Sequence, residues 1–371
     1  MRIAIDARKL HDFGIGTYIR NLVTEIGAQD PVSHYVILTR PEDVGTAAAA
    51  GPNFEAVVET ARPYSVGEQW RIPRAVARAR ADLLHEPHYV LPLLTRCRTV
   101  VTIHDCIHLR FPEYLPNRSA FAYAHAMIRL AARKADRVLT VSEASKRDIL
   151  HYTGLAPDQV QVVYNGIDAR FTAVPDEEAV DRVRQRFQLT HPFVLYVGNI
   201  KPHKNLERLI AAFAAVRADG PDDLKLVVIG DETSKHPTVR HAVHRHRLDK
   251  HVRFFGFQPA PTLVIFYRLA RVFAFPSLYE GFGLPPLEAM ANGTPVVTSN
   301  VSSLPEVAGD AALLVDPYDV GAIAEGLRRA LTDEALRQDL IARGRARVQD
   351  FSWTRATART LEVYRQVLGA A

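Results

Sequence analysis

Short apolar runs alternate along this chain with stretches of helical periodicity, and that alternation restricts it to a mostly parallel sheet covered by helices. In the first half the runs are "RIAID" (2–6), "YVILT" (35–39), "RTVVTIH" (98–104), "RVLTV" (137–141) and "VQVVYN" (160–165). In the second they are "FVLYVG" (193–198), "LKLVVIG" (224–230), "VRFFGF" (252–257), "RVFAFP" (271–276), "TPVVTS" (294–299) and "AALLVD" (311–316). Each is mainly apolar on both faces, as a strand buried between two helix layers must be. The segment 166–192 between the two sets is polar and holds no such run. At 371 residues the chain exceeds one ordinary core. The expected fold is therefore α/β, with two doubly wound, Rossmann-like domains facing an interdomain cleft. The first is expected over 1–170, a linker over 171–188, the second domain over 189–350 and a helical segment over 351–371. Ligands of such sheets sit beyond the carboxyl ends of the strands, so chemistry is expected there.

Several function classes drop out early. No apolar run approaches the ~18–20 residues that span a bilayer. Asp6 breaks the N-terminal apolar stretch too soon for a signal peptide. Cys97 and Cys106 are the only cysteines, without a second pair to complete a zinc site, which predicts a reduced, cytoplasmic protein. The net charge of +5 concentrates in 71–82, 127–137 and 341–348. These runs read as exposed helix faces or as a contact with an anionic membrane surface. No stacking aromatics accompany them, so a nucleic-acid partner is not expected.

Four strand ends carry unusual sequences. After "RIAID" comes Gly14-Ile15-Gly16 and an apolar helix, a turn whose N–H groups suit a phosphate. A dinucleotide fingerprint needs a third glycine at position 19, which is Ile19, so NAD or FAD is not expected. "RTVVTIH" runs into His104-Asp105, a pair placed for a ligand or for capping a helix. After "FVLYVG", Lys201 and Lys204 stand where a helix dipole disfavours cations, which points to a strongly anionic ligand or to an ordinary exposed loop. The fourth is "YEGFGLPPLEAMANGTPVV" (279–297). Pro285-Pro286 fits the first turn of a helix and Gly293 its C-terminus. Glu280 then lies in the glycine loop and Glu288 in the first or second turn, not adjacent on one face. The free N–H groups of Gly281 to Leu284 are expected to form an anion-binding nest.

This fourth stretch, with "YVGNIKPHKNLERLIAAF", "VVYNGID", "VRFFGF" and "SSLPEVAGDAALLVDP", resembles the E-x7-E signature set of retaining, nucleotide-sugar-dependent glycosyltransferases of the GT-B fold, family 4. "IDARKLHDFGIGTYIRNL" and "VTIHD" extend the resemblance forward, so that it covers nearly the whole chain in order. It implies a nucleotide-diphospho-sugar donor held mainly by the second domain. Glu288 would hydrogen-bond the ribose hydroxyls. Glu280, with the N–H groups of Gly281, Phe282, Gly283 and Leu284, would hold the donor sugar and nearby phosphate. Lys204 would neutralise the diphosphate, and Gly16 would meet it from the opposite domain. His104 would contact the transferred sugar, and Phe257 lies where backbone groups read the nucleobase. Gly198 matches a glycine that an arginine often follows; here Asn199 follows, and Lys201 or His203 is left to supply the missing charge. The resemblance also implies that the helix within 351–368 crosses back to the first domain.

Cleaving an anomeric bond to diphosphate builds negative charge on the leaving group, which preorganised cations and N–H donors stabilise. The expected enzyme needs no metal or other cofactor. No D-x-D stands at a strand end, and His241 and His244, within 235–251, lack a ligand partner in the sequence. Paired carboxylates also suit a glycoside hydrolase, but the phosphate-cradling features around Glu280 and Glu288 do not belong to one. The resemblance implies front-face attack with the leaving phosphate taking the acceptor proton, hence no protein nucleophile. A nucleotide-sugar epimerase or phosphorylase, or a non-catalytic binding relative, are the alternatives. The front-half phrases look most like bacterial mannosyltransferases of surface-polysaccharide synthesis. That likeness implies GDP-mannose as donor, a saccharide or lipid-linked saccharide as acceptor, and peripheral contact with the inner face of a membrane.

Overall fold

The computed structural model describes residues 1–115, 117–220, 223–230 and 236–369. It divides into two compact units, Met1–Gly166 with Ser352–Ala371, and Ile167–Phe351.

The sheet of the first unit is parallel throughout and comprises β1 (Arg2–Asp6), β2 (His34–Thr39), β3 (Phe54–Val58), β4 (Leu83–Glu86), β5 (Arg98–Thr102), β6 (Arg137–Thr140) and β7 (Val160–Val162). Its order is β3-β2-β1-β4-β5-β6-β7, so the winding reverses between β1 and β4. Two of these strands, β3 and β4, are not among the expected runs. Their sequences, FEAVV and LLHE, carry Glu55, His85 and Glu86, which break the apolar signature. His85 and Glu86 are nonetheless buried, His85 with its two ring nitrogens partnered by Tyr364 and Thr102 of the same unit.

The core of this unit packs Ile3, Ile5, Ile37, Leu83 and Val100 with Trp353, Leu361 and Tyr364 of helix Trp353–Leu368. That helix lies along helix Phe13–Gln29. The last helix therefore supplies core to the unit built from the first 166 residues.

The second unit holds β8 (Phe193–Gly198), β9 (Lys225–Gly230), β10 (Val252–Phe255), β11 (Val272–Phe275), β12 (Val296–Ser299) and β13 (Leu313–Val315). All six expected runs form strands, parallel and in the order β10-β9-β8-β11-β12-β13, with the reversal between β8 and β11. Residues 171–188, expected as a linker, contain helix Glu177–Arg186 and belong to this unit. Their few apolar side chains act as anchors. Phe171 meets Tyr267 at 6.2 Å between centroids, and Phe187 meets Phe255 and Phe266 at 5.1 and 5.0 Å.

Candidate functional site

In the second unit the expected residues gather where the winding reverses. At the end of β8, Gly198 pairs in register with Gly230 of β9. A Cβ on Gly230 would meet the Gly198 carbonyl at 1.9 Å, so the two strand ends close only around a glycine. The chain then enters a short turn, Pro202–Lys204, and helix Leu206–Ala218. Between them Asn205 adopts a left-handed conformation (φ 61°). Its Nδ2 donates to the carbonyls of Pro276 (2.9 Å) and Pro317 (2.7 Å), and its Oδ1 accepts from Arg208. One buried amide thus ties together the loops that leave β8, β11 and β13.

This latch sets the position of Lys204. Its Nζ donates to both carboxylate oxygens of Glu280, at 2.7 and 2.8 Å, and lies 5.3 Å from the centre of the Phe275 ring. The side chains are only 14% and 12% exposed. The cation and the carboxylate, read from the sequence as separate binding devices, form one ion pair. The Glu280 backbone is clamped by a serine pair. Its N–H donates to Ser302 Oγ (3.1 Å), and its carbonyl accepts from Ser302 (2.7 Å) and Ser303 (3.0 Å).

Glu288 lies in helix Leu284–Ala291, which starts at Gly283 with φ 133°, a conformation that disfavours any side chain. The buried Tyr267 hydroxyl donates to Glu288 Oε2 at 2.8 Å. Desolvation pushes the Glu288 carboxyl up to about 7, with Tyr267 opposing and Asp168 assisting. Arg170, held by Asp168, pulls it back only slightly.

The N–H groups expected to form a nest, those of Gly281 to Leu284, lead into this helix. Pro285 and Pro286 carry no N–H, so Leu284 is the only donor among the first three helical residues. Gly281 and Phe282 have partners of their own. Gly283 and Leu284 complete the stretch, and Lys204 places its positive charge beside Glu280. Asn199 presents a buried amide oxygen without a hydrogen-bond partner, where a second cation was sought. Lys201 is exposed and His203 buried. Phe257 is 78% exposed in the loop after β10.

The first unit carries the other two expected residues. The glycines after β1 do not precede the helix: Gly14 and Gly16 lie inside the first turn of Phe13–Gln29. A Cβ on Gly16 would meet the Leu10 carbonyl at 2.2 Å, whereas one on Gly14 would meet open space. Only Gly16 is demanded by packing. His104, just beyond β5, donates from Nε2 to the Pro87 carbonyl (3.1 Å), and its ring meets Tyr18 edge-on at 5.0 Å. Burial lowers its pKa against the pull of Pro87 and Asp105, so the ring is neutral and Nδ1 is an acceptor. Asp105 accepts from the Ile107 N–H (2.9 Å), taking the capping role open to it.

His241 and His244 lie exposed on helix Pro237–Arg245; Lys235 of the same run lies outside the described residues. Among the described residues no three His, Cys, Asp or Glu side chains converge as metal ligands, and no helix is long and apolar enough to cross a membrane.

Sequence reading missed Asn205, Ser302, Ser303 and Tyr267. A signal existed for the first three: an Asn before a helix suits a left-handed turn, and paired serines before "LPEVAG" suit side-chain-to-backbone bonds. Tyr267 sits in an apolar helix, and nothing local marks it.

Two family models match the chain, "Glycosyltransferase Family 4" over residues 14–171 and "Glycosyl transferases group 1" over 177–347. The O-antigen chain mannosyltransferase B of Escherichia coli is 34% identical over 298 residues, 79% of this chain and 77% of that one. The serotype-specific mannosyltransferase WbdA of Escherichia coli is 31% identical over 277 residues, 73% of this chain but only 34% of its own length. Among solved structures, Anabaena HepE in complex with UDP-glucose superposes with a TM-score of 0.79 at 19% identity, over 99% of this chain and 100% of that one.

Proposed function

This chain belongs to the family 4 glycosyltransferases of the GT-B fold, and from that membership we propose a retaining, metal-independent mannosyltransferase that uses GDP-mannose and a saccharide or lipid-linked saccharide acceptor. The observation that carries the reading is the Lys204–Glu280 pair at the reversal point of the second sheet. Without donor, each charge is neutralised by the other. An arriving diphosphate competes for the ammonium and frees the Glu280 carboxylate to accept hydrogen bonds from sugar hydroxyls. As the anomeric bond breaks, the bridging oxygen gains charge beside Lys204. Stabilisation of such developing charge by one preorganised group is worth roughly 2.7–4 kcal/mol. Ionised Glu288, oriented by Tyr267, offers acceptors to a ribose diol, and neutral His104 offers Nδ1 to a sugar hydroxyl. Mannosyltransferase relatives support the sugar.

The test is a donor panel with a mannose-terminated acceptor, read by product mass and by NMR of the new anomeric centre, with and without EDTA. One added hexose from GDP-mannose, with donor configuration kept and EDTA without effect, is expected. Use of a different donor overturns the mannose assignment, and donor consumption without transfer overturns transferase activity. Inverted product overturns retention, and loss in EDTA restored by a divalent cation overturns metal independence.

A further inference from the structure

The first sheet has its own reversal point, between β1 and β4, and a buried charge network that the donor chemistry does not use. Asp6 ends β1 and Glu86 ends β4. Arg8 holds Asp6 through both carboxylate oxygens and reaches Glu68 at 3.3 Å. All four side chains are buried, Glu86 to 3% exposure. Such networks are seldom favourable for stability alone, because desolvation of the charges offsets their attraction.

What this network does is hold Tyr64. Glu68 accepts the Tyr64 N–H at 3.0 Å, and Tyr64 is fixed in a left-handed conformation (φ 64°) that an aromatic residue rarely adopts. Its hydroxyl is also fixed. The Val90 N–H donates to His88 Nδ1, so the proton of this buried neutral imidazole is on Nε2, 2.8 Å from Tyr64 Oη. Lys9 Nζ donates to the same oxygen at 3.3 Å and to Asp12 at 3.0 Å. The Tyr89 ring lies 6.1 Å from the Tyr64 ring, tilted against it. Tyr123, on helix Arg118–Lys134, adds a third phenol close enough to interact with both. Despite these restraints Tyr64 remains 45% exposed and Tyr123 39%.

We propose that Tyr64, Tyr89 and Tyr123 form a saccharide-binding platform, with Lys9 and Asp12 as its polar rim, and that it holds the pyranose ring of the acceptor. Rigid aromatic faces bury the C–H face of a sugar at low entropy cost, while phenol, ammonium and carboxylate groups meet its hydroxyls. Backbone strain held by buried charges is a device of preorganised sites, and open α/β sheets bind ligands at the reversal point. The proposal rests on the transferase reading for its ligand, but not for its geometry.

The test compares the wild-type chain with Tyr64→Asn, since asparagine tolerates the left-handed backbone, and with Tyr123→Ala. Mannotriose is the probe, both free and linked to an alkyl chain. Acceptor KM is expected to rise about tenfold or more in each variant, with donor KM within about twofold. Loss of saturation-transfer NMR signals from the trisaccharide should accompany it. A rise for both probes assigns the platform to the saccharide. A rise for the alkyl-linked probe alone makes it a lipid-side contact and overturns the saccharide assignment. Unchanged acceptor KM and NMR signals in Tyr123→Ala and a folded Tyr64→Asn overturn the platform. Should Tyr64→Asn fail to fold, Tyr123→Ala decides alone. If the wild-type chain consumes no nucleotide sugar, the transferase reading fails, and the NMR comparison still decides the platform.

Discussion

Lys204 and Glu280 are 76 residues apart in sequence and 2.7 Å apart in the fold, and removing either leaves a largely buried charge without its partner. Lys204→Ala should lower kcat about 100-fold or more and should also lower the unfolding midpoint. Lys204→Ala with Glu280→Gln should recover the midpoint but not kcat, which denaturation and steady-state rates check together. The Glu288 carboxyl gives a second outcome. Its folded pKa is about 7 against an ordinary 4.5, so the native state holds a proton that the unfolded chain has released. Stability from this group is therefore full below pH 4.5 and is lost as pH rises through about 7. Donor binding follows the opposite sense, because ribose hydroxyls need the ionised acceptor. Donor KM should fall between pH 6 and 8, and Glu288→Gln should flatten both profiles. The identities of Lys204, Glu280 and Glu288 were legible because glycine and proline punctuate the sequence around them. Their pairings were not, since neither Lys204–Glu280 nor Tyr267–Glu288 leaves a local trace.

The elements were legible where apolar residues dominate a strand, as in all six strands of the second unit. Strand β4 was not, because half of LLHE is polar and only distant partners make it buriable. His85 Nε2 reaches Thr102 Oγ1 at 2.8 Å, and its Nδ1 faces the Tyr364 hydroxyl. The Asn205 latch between three loops belongs to this scale. Asn205→Gly keeps the left-handed backbone and loses the amide, so it should cost about 1–3 kcal/mol from the unsatisfied Pro276 and Pro317 carbonyls. Asn205→Ala should cost more, by the added backbone strain, as equilibrium urea unfolding will show. Helix Glu68–Arg78 carries Arg74 and Arg78 beside the exposed Trp70, a face suited to anionic lipid. Flotation with vesicles containing phosphatidylglycerol should recover the chain at low salt and release it at high salt. Equal recovery with neutral vesicles would remove the electrostatic account.

On the scale of the whole molecule, both sheets reverse their winding once, at β1/β4 and at β8/β11, and each reversal carries a buried ion pair beside a candidate ligand position. The repeated strand-helix alternation made the two-unit organisation legible. The ownership of the last helix was legible only through the family resemblance, because a helical pattern says nothing about which core its apolar face will enter. Deleting residues 352–371 should leave strong amide protection in β8–β13 and strip it from β1–β7, which hydrogen exchange resolves strand by strand.

That last helix also sets an order of events on the ribosome. Residues 167–351 are complete as a unit before Trp353, Leu361 and Tyr364 have been translated. Residues 1–166 are therefore made before the second unit but completed after it. Until the final helix emerges, His85 lacks the Tyr364 hydroxyl and the apolar surface along helix Phe13–Gln29 has no cover. Synthesis from the N-terminus here does not mean folding from the N-terminus, and the nascent chain must be kept from aggregating through one half until the other has been made.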